Sequence, residues 1–469
     1  MNSLIARSKN IIVFGDIMLD VKLSGSIHRM ANEAPVPILL QEEEKKYLGG
    51  AGNVLMNLQS LGCEKLFMFS KIGNDSYGKE IAAILSTYPE ITRHLYSDST
   101  YQTTVKTRGF SNNKMIFRYD VENAAQLLQS HVSDIKVKLI HILNTTQIDS
   151  ILLSDYNRGF LVKELTQFII QEANSRAIPT FVDTKSDYKK YLGCTVIKPN
   201  RKEIEEVFGL QYSYDCLEAI HKAIKEKVQC QETLLTLSED GMSFYTGGEL
   251  IYETTHKCDV NDVTGAGDVV LSIIAYYYSA LDKRNLVRLA TYLGTMSVQH
   301  VGTYVLKPSD ILNAYKEIHR TKLISLENVK YLKNPIVFTN GCFDILHEGH
   351  MALLQYCKSI RPPEGEVMIA INSDESIRKL KGATRPINDI DARIAILNNI
   401  ESVDWILVFT EDTPYEVLEV IHPHTIVKGG DYTMESMIGK EFAKEVKIFT
   451  YMDGKSTTNI VNKIALQSR

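Results

Sequence analysis

The chain of 469 residues is too long for a single hydrophobic core, and its 44% hydrophobic and 23% charged residues are those of ordinary globular domains. A net charge of −5 argues against nucleic acid as the main partner, and no apolar run approaches the roughly 18 to 20 residues needed to span a bilayer. The seven cysteines are dispersed without a C-x-x-C pair, so they read as reduced thiols rather than a disulfide framework or a zinc site. With an N-terminus that lacks a signal-peptide core, this points to the cytoplasm.

Residues 10–14 are a β-branched run ending at Gly15-Asp16, the pattern of a first strand in an α/β layer. Residues 52–61 read as helix and 64–69 as strand. Residues 103–108 and 114–119 read as two strands joined by Ser111-Asn112-Asn113, a hairpin signal. Strands and helices then alternate. Strands are expected at 148–153, 180–182 and 195–197, followed by a long charged helix from Arg201, strands at 234–237 and 243–245, and a helix from Ala266. This alternation predicts a mainly parallel sheet covered on both faces. Residues 311–334 form a lysine-rich amphipathic stretch without glycine, either a linker or a structured helix packed on the first domain. A second βα cycle restarts at 336–338, with further strands at 367–371, 405–408 and 425–427. The expected division is 1–330 and 331–469.

Thr264-Gly265-Ala266-Gly267-Asp268 opens a helical run. Small residues at a helix start leave backbone N–H groups open to a phosphate, and the helix dipole adds partial positive charge there. A carboxylate directly after the glycines can take the proton of an attacking hydroxyl. The bland alternative is a turn capped by Thr264 or Asp268. Three more segments precede it in order: Gly15-Asp16, Gly49-Gly50-Ala51-Gly52-Asn53 and Lys198-Pro199-Asn200-Arg201-Lys202-Glu203. Together they resemble the ribokinase, or phosphofructokinase-B, family of sugar kinases over residues 10–310.

The resemblance implies that Asp268 is the catalytic base and that Gly265, Ala266 and Gly267 form the anion hole. It further implies that the Asn200, Arg201, Lys202, Glu203 segment binds ATP, with Asn200 and Glu203 organising Mg²⁺ through water. Asp16, Gly49, Gly50 and Asn53 would bind the sugar. Lys106, Arg108 and Arg118 lie on the expected hairpin, either as a clamp for the phosphate of a phosphorylated sugar or as the solvated face of a lid. Ser154-Asp155-Tyr156-Asn157-Arg158-Gly159 resembles an Asp-Tyr-x-Lys-Gly segment of the heptose-kinase branch, with Arg158 where lysine is usual. The role of Arg158 stays open.

Thr339-Asn340-Gly341-Cys342-Phe343-Asp344-Ile345-Leu346-His347-Glu348-Gly349-His350 carries two histidines at i and i+3, not the i, i+4 spacing of a zincin. A strand, a glycine-containing loop and a helix opening near His347 would let both imidazoles face a phosphate at the helix N-terminus. This resembles the His-x-Gly-His nucleotidyltransferases, close to the glycerol-phosphate cytidylyltransferase branch. That resemblance implies transition-state stabilisation by His347 and His350 and nucleotide contacts from Gly341, Phe343, Asp344, Lys428, Gly430, Ser456 and Thr457. Asp374, Lys381 and Arg385, on an expected loop, would reach phosphate.

The fusion in this order, with Glu33-Ala34-Pro35-Val36-Pro37 before the Gly-Gly loop, resembles the bacterial bifunctional heptose kinase and adenylyltransferase family. The implied fold is a ribokinase-like α/β domain with a small β lid, then a Rossmann-like nucleotidyltransferase domain. The implied activities are ATP- and Mg²⁺-dependent phosphorylation of heptose 7-phosphate at O1 and transfer of AMP from ATP to heptose 1-phosphate. Sugar phosphates and ATP would be the partners, with no nucleic acid or membrane, and lid exchange would favour a homodimer. Two alternatives stay open. One is the same pair of reactions on another sugar, or with CTP in the second half. The other is a sugar-phosphate-binding regulator built from degenerate enzyme domains.

Overall fold

The computed structural model describes residues 9–112, 114–185, 187–255, 258–429 and 437–449. The chain divides into two compact units, residues 5–311 and 312–469.

In the first unit, nine strands form one sheet. Their order is Glu249–Glu253, Met242–Thr246, Glu232–Thr236, Val196–Ile197, Thr180–Thr184, Ser150–Asp155, Asn10–Gly15, Lys65–Gly73 and Ile91–Asp98. All neighbours pair in parallel except the two at the Glu249–Glu253 edge, which are antiparallel. The interior strand Asn10–Gly15 is buried on both faces, as its unbroken apolar run requires. Its carboxyl end feeds a second sheet of four strands, ordered Pro37–Gly50, Ile17–Met30, Val105–Ser111, Lys114–Val121. This is the lid.

The expected hairpin is present as Val105–Ser111 and Lys114–Val121, but the two fourteen-residue strands beside it were not foreseen. Register puts Asp20, Lys106 and Asp120 side by side, and likewise Lys22, Arg108 and Arg118. These six therefore share one lid face, while Leu23, Gly109 and Phe117 share the other. The long charged helix expected from Arg201 is a correction. It runs only Arg201–Glu206, and the next helix is Leu217–Val228, with Gly209 at φ +66° between them.

In the second unit five parallel strands take the order Trp405–Phe409, Glu366–Asn372, Ile336–Gly341, Thr425–Gly429, Glu445–Phe449. Strand order reverses at Ile336–Gly341, so the crevice beyond its carboxyl end is the natural ligand site. Residues after Leu312 belong to this unit, not to the first as a 330/331 boundary assumed. The physical reason is edge pairing. Ile324 N–H donates to Ile406 O at 2.8 Å and Ile406 N–H to Lys322 O at 2.8 Å, while Lys322 N–H reaches Asn398 Oδ1 at 2.6 Å. No helix among the described residues is long and apolar enough to cross a membrane.

Candidate active sites

Strand ends of the nine-stranded sheet, the lid and the loop before helix Ala266–Tyr277 enclose a cavity of about 1150 Å³. Asp268 sits in the first turn of that helix and is buried. Its Oδ1 accepts from Tyr156 Oη at 2.7 Å and its Oδ2 from Asn53 Nδ2 at 3.0 Å. Burial pushes its carboxyl up to about 6, and these two donors hold it from rising further. Asn53 is itself oriented. Asn57 Nδ2 donates to Asn53 Oδ1 at 3.2 Å, and Asn57 Oδ1 is fixed by the Leu306 N–H at 2.9 Å. The amide of Asn53 is thereby turned so that its NH₂ faces Asp268. Gly265 takes φ +81°, and a Cβ there would stand 2.7 Å from Asn53 Nδ2, so the turn needs glycine.

Beside the Gly265–Gly267 loop lies a cationic pair. Lys198, fully buried, stands 3.1 Å from Asp183, and its Nζ is 3.3 Å from where a Cβ on Gly267 would sit. Lys185 is 3.3 Å from Asp183 and 2.7 Å from Glu203. Burial works against its charge, but Asp183 and Glu203 outweigh that and raise its pKa. Asn200 and Glu203 form a capping box on helix Arg201–Glu206. Asn200 Oδ1 accepts the Glu203 N–H at 2.9 Å, and Glu203 accepts the Asn200 N–H at 2.9 Å and Nδ2 at 2.8 Å. Lys185 Nζ fills the second position on Oε1 at 2.7 Å, so only Oε2 keeps room for a further donor. That fits a water of a hydrated Mg²⁺ better than a direct metal bond. On the lid side, Arg108 Nη1 meets Asp20 Oδ1 at 2.7 Å, and Lys106 lies 5.5 Å from the Tyr156 ring centre.

In the second unit the strand Ile336–Gly341 ends in a loop, and His347 caps helix Glu348–Ser359. The His347 and His350 rings lie 3.9 Å apart, and Phe343, buried in the core, packs 5.0 Å from His350. Burial and then His347 drive His350 down to about 4, so its imidazole is neutral at physiological pH. Thr339 Oγ1, Asn340 Oδ1 and His350 Nδ1 are buried without a partner among the described residues. Two of these atoms lie near the end of the strand and the third on the helix that follows it, and buried polar atoms of this kind call for a polar partner. Lys428, at the end of the neighbouring strand Thr425–Gly429, is pushed down to about 8 by burial.

Residues 8–310 match the pfkB family carbohydrate kinase description and residues 338–460 the cytidylyltransferase-like description. Over 98% of its length the chain is 36% identical to the bifunctional protein HldE of Aliarcobacter butzleri (strain RM4018), covering 98% of that protein. The HldE protein of Campylobacter fetus subsp. fetus (strain 82-40) is 37% identical over 97% of this chain and 99% of its own. The chain belongs to the bifunctional HldE family. It is an enzyme that joins a carbohydrate kinase to a nucleotidyltransferase. The solved phosphofructokinase-2 from Escherichia coli in complex with substrates and products shares the fold of the first unit. Its TM-score is 0.55 at 16% identity, over 66% of this chain and 99% of that one.

Within this HldE-family chain, Gly50, Lys106, Arg108, Asn200, Arg201, Lys202, Gly265, Ala266, Gly267 and Asp268 all line the one cavity. Four residues expected at the sugar do not. Asp16 is turned inward, taking the N–H groups of Tyr156, Arg158 and Phe160 at 2.9, 3.0 and 3.2 Å, so it shapes the 156–160 loop. Asn53 holds Asp268. Arg118 is forked onto Asp120, at 2.9 Å from Nε and 2.6 Å from Nη2. Gly49 makes room for Asp20, whose Oδ2 is 2.1 Å from where its Cβ would be. Arg158, left open by the sequence, pairs with Glu122.

Asp20 and Tyr156 line the cavity and were missed. The signal for Asp20 was its place four residues after Asp16, and for Tyr156 the Asp-Tyr segment already noted. In the second unit Asp344 braces the 385–388 segment rather than opening to a ligand. Its Oδ1 accepts Ile387 and Asn388 N–H at 2.8 and 2.9 Å, and Arg385 pairs with its Oδ2 at 3.0 Å. Asp374 and Lys381 lie not on a loop but on helix Asp374–Lys381, where Asp374 meets the fully buried Arg393 at 2.5 Å. Gly430, Ser456 and Thr457 lie outside the described residues.

Proposed function

We propose that the chain catalyses two separated steps of ADP-heptose synthesis. In the first, the anomeric hydroxyl of D-glycero-β-D-manno-heptose 7-phosphate attacks the γ-phosphorus of ATP. Its proton passes to Asp268 while the bond to the β-phosphate oxygen breaks and ADP leaves. The Gly265–Gly267 N–H groups at the helix start and the Lys198 and Lys185 cations take up charge on the transferring group. Lys106 and Arg108 receive the 7-phosphate. When bound, Mg²⁺ neutralises the ATP phosphates, held by Asn200 and Glu203 through water.

In the second step, after a separate phosphatase has removed the 7-phosphate, an oxygen of heptose 1-phosphate attacks the α-phosphorus of ATP. Pyrophosphate leaves, and no proton needs to move. The His347 and His350 imidazoles donate to the α-phosphoryl oxygens as charge develops.

The observation that carries the reading is the convergence on one cavity of Asp268, the Gly265–Gly267 loop and the lid cations Lys106 and Arg108. Mass spectrometry of the product from protein, ATP, Mg²⁺ and heptose 7-phosphate, with and without a bisphosphate phosphatase, tests it. A bisphosphate that turns into ADP-heptose once phosphatase is added supports both halves. Its absence removes the heptose assignment, and a parallel incubation with CTP decides the second nucleotide.

A homodimer assembled through the lid belongs to the same proposal. Met30, Leu40, Met115, Phe117 and Tyr119 are exposed on lid strands, a density of apolar side chains that favours cover by a second copy. A monomer by light scattering at micromolar concentration would refute it.

A further inference from the structure

Asp268 does not stand alone. Its two oxygens each hold one donor from the protein, Tyr156 Oη at 2.7 Å and Asn53 Nδ2 at 3.0 Å. A carboxylate oxygen accepts two, so each keeps one position for an incoming hydroxyl. Tyr156 is the more telling of the pair, because it also lines the cavity. Two cations lie near its ring, Lys106 from the lid at 5.5 Å and Lys185 from the end of strand Thr180–Thr184 at 5.7 Å from its centre. Its backbone is pinned by the Asp16 carboxylate, which also takes the N–H groups of Arg158 and Phe160. The sequence-distant residue Asp16 therefore reaches the base through Tyr156.

We propose that Tyr156 is a positioning residue of the kinase half, fixing the rotamer of Asp268 by its phenol while its ring packs near the cations Lys106 and Lys185. The proposal rests on Asp268 being the base. The groups that face Asp268 are Asn53 from helix Ala51–Ser60, Tyr156 from the loop after Ser150–Asp155, and Asp183 with Lys185 at the end of Thr180–Thr184. Lys198 stands beside the adjoining Gly267. Of the groups touching Asp268, Tyr156 is the one whose hydrogen bond can be deleted with little change of shape. Burial and the nearby carboxylates hold the phenol far above its ordinary pKa, so it remains a donor across the working range.

The test compares the wild type, Tyr156→Phe, Asp268→Asn and a chain carrying a fluorinated tyrosine of more acidic phenol at position 156. The readout is ADP release from ATP and sugar phosphate between pH 5 and 9. Removing the phenol should lower kcat roughly ten- to hundredfold, leave the KM for the sugar phosphate within about twofold, and move the acidic limb of the profile up by about one pH unit. The fluorinated residue, a stronger donor of the same shape, should move that limb the other way. A limb that stays in place in both variants overturns the proposal, whether or not kcat falls, because a merely structural tyrosine would leave the base's titration untouched. If Asp268→Asn turns over as fast as the wild type, the base assignment itself fails, which the same series reveals separately.

Discussion

Replacing Asp268 by asparagine should cost activity and yield stability, and the two effects come from the same burial. Proton acceptance by a positioned side chain contributes roughly 10²- to 10⁴-fold, so kinase turnover should fall by that factor at least while nucleotidyl transfer stays within about twofold. For stability, the carboxyl has a folded-state value of about 6 against an ordinary 3.8, which corresponds to roughly 3 kcal/mol. The sign follows from the direction of the shift. A carboxyl raised by folding binds its proton more tightly in the native state. It therefore favours the fold below pH 3.8, and this advantage is lost as pH rises towards 6 and beyond.

Asparagine does not titrate. It does leave one of the donors Tyr156 and Asn53 facing an NH₂, a pH-independent penalty of roughly 1–3 kcal/mol. The quantity free of that penalty is the change with pH. Relative to the wild type, Asp268→Asn should gain roughly 1.4 kcal/mol between pH 5 and pH 8. Hydrogen exchange of the Ala266–Tyr277 helix amides in urea, run on both proteins at the two pH values, reads this as about a tenfold relative slowing. Equal differences at pH 5 and pH 8 would refute the buried, raised carboxyl. Kinase turnover within tenfold of the wild type would refute its role as base.

The two halves should also separate by pH. Burial holds the folded His350 near 4 against an ordinary 6.5. Its neutral form therefore persists to about pH 5, and the stability it contributes is lost only as pH falls from 6.5 towards 4. Pyrophosphate release should thus outlast ADP release as the same sample is taken from pH 7 to 5.5, and parallel losses would count against either assignment. His350→Ala should abolish pyrophosphate release and spare ADP release. Arg108→Met strands the buried Asp20 carboxylate. It should lower unfolding free energy by roughly 3 kcal/mol and raise the sugar-phosphate KM tenfold or more, and an unchanged KM would remove Arg108 from the phosphate clamp. A fragment beginning at Pro308 should fold and carry nucleotidyl transfer, whereas one beginning at Tyr331 loses the Lys322–Ile324 edge pairing. Equal thermal midpoints for the two would contradict the boundary.

Local chemistry was legible, and reach across the sequence was not. The Thr264–Asp268 turn works through backbone geometry within a few residues, so its spacing alone announces a helix start, whereas the capping box of Asn200 and Glu203 went unread behind the Mg²⁺ role that the resemblance implied. The Asn57–Asn53–Asp268 relay joins residues more than two hundred positions apart through amide orientation, which no spacing encodes. Asp16 was expected at the sugar because the family resemblance implied it. Here three N–H groups of one loop captured it. The strands Ile17–Met30 and Pro37–Gly50 escaped notice because both faces of much of Pro37–Gly50 are exposed, so the charge run Glu42-Glu43-Glu44-Lys45-Lys46 shows no alternation. The early boundary of the second unit was hidden for a related reason, since the lysine-rich stretch combines a helix, Pro308–His319, whose Lys316 lies over a buried aromatic, with a short edge pairing at Lys322–Ile324.

That aromatic is Trp405, buried in strand Trp405–Phe409 with Lys316 Nζ 4.6 Å from its ring centre, and it is the sole tryptophan of the chain. Indole fluorescence from the intact protein is therefore a native label on the nucleotidyltransferase half, and the kinase half is dark in that channel. A change in emission when a ligand is added therefore reports on that half of the chain, readable without a dye, a tag or a mutation.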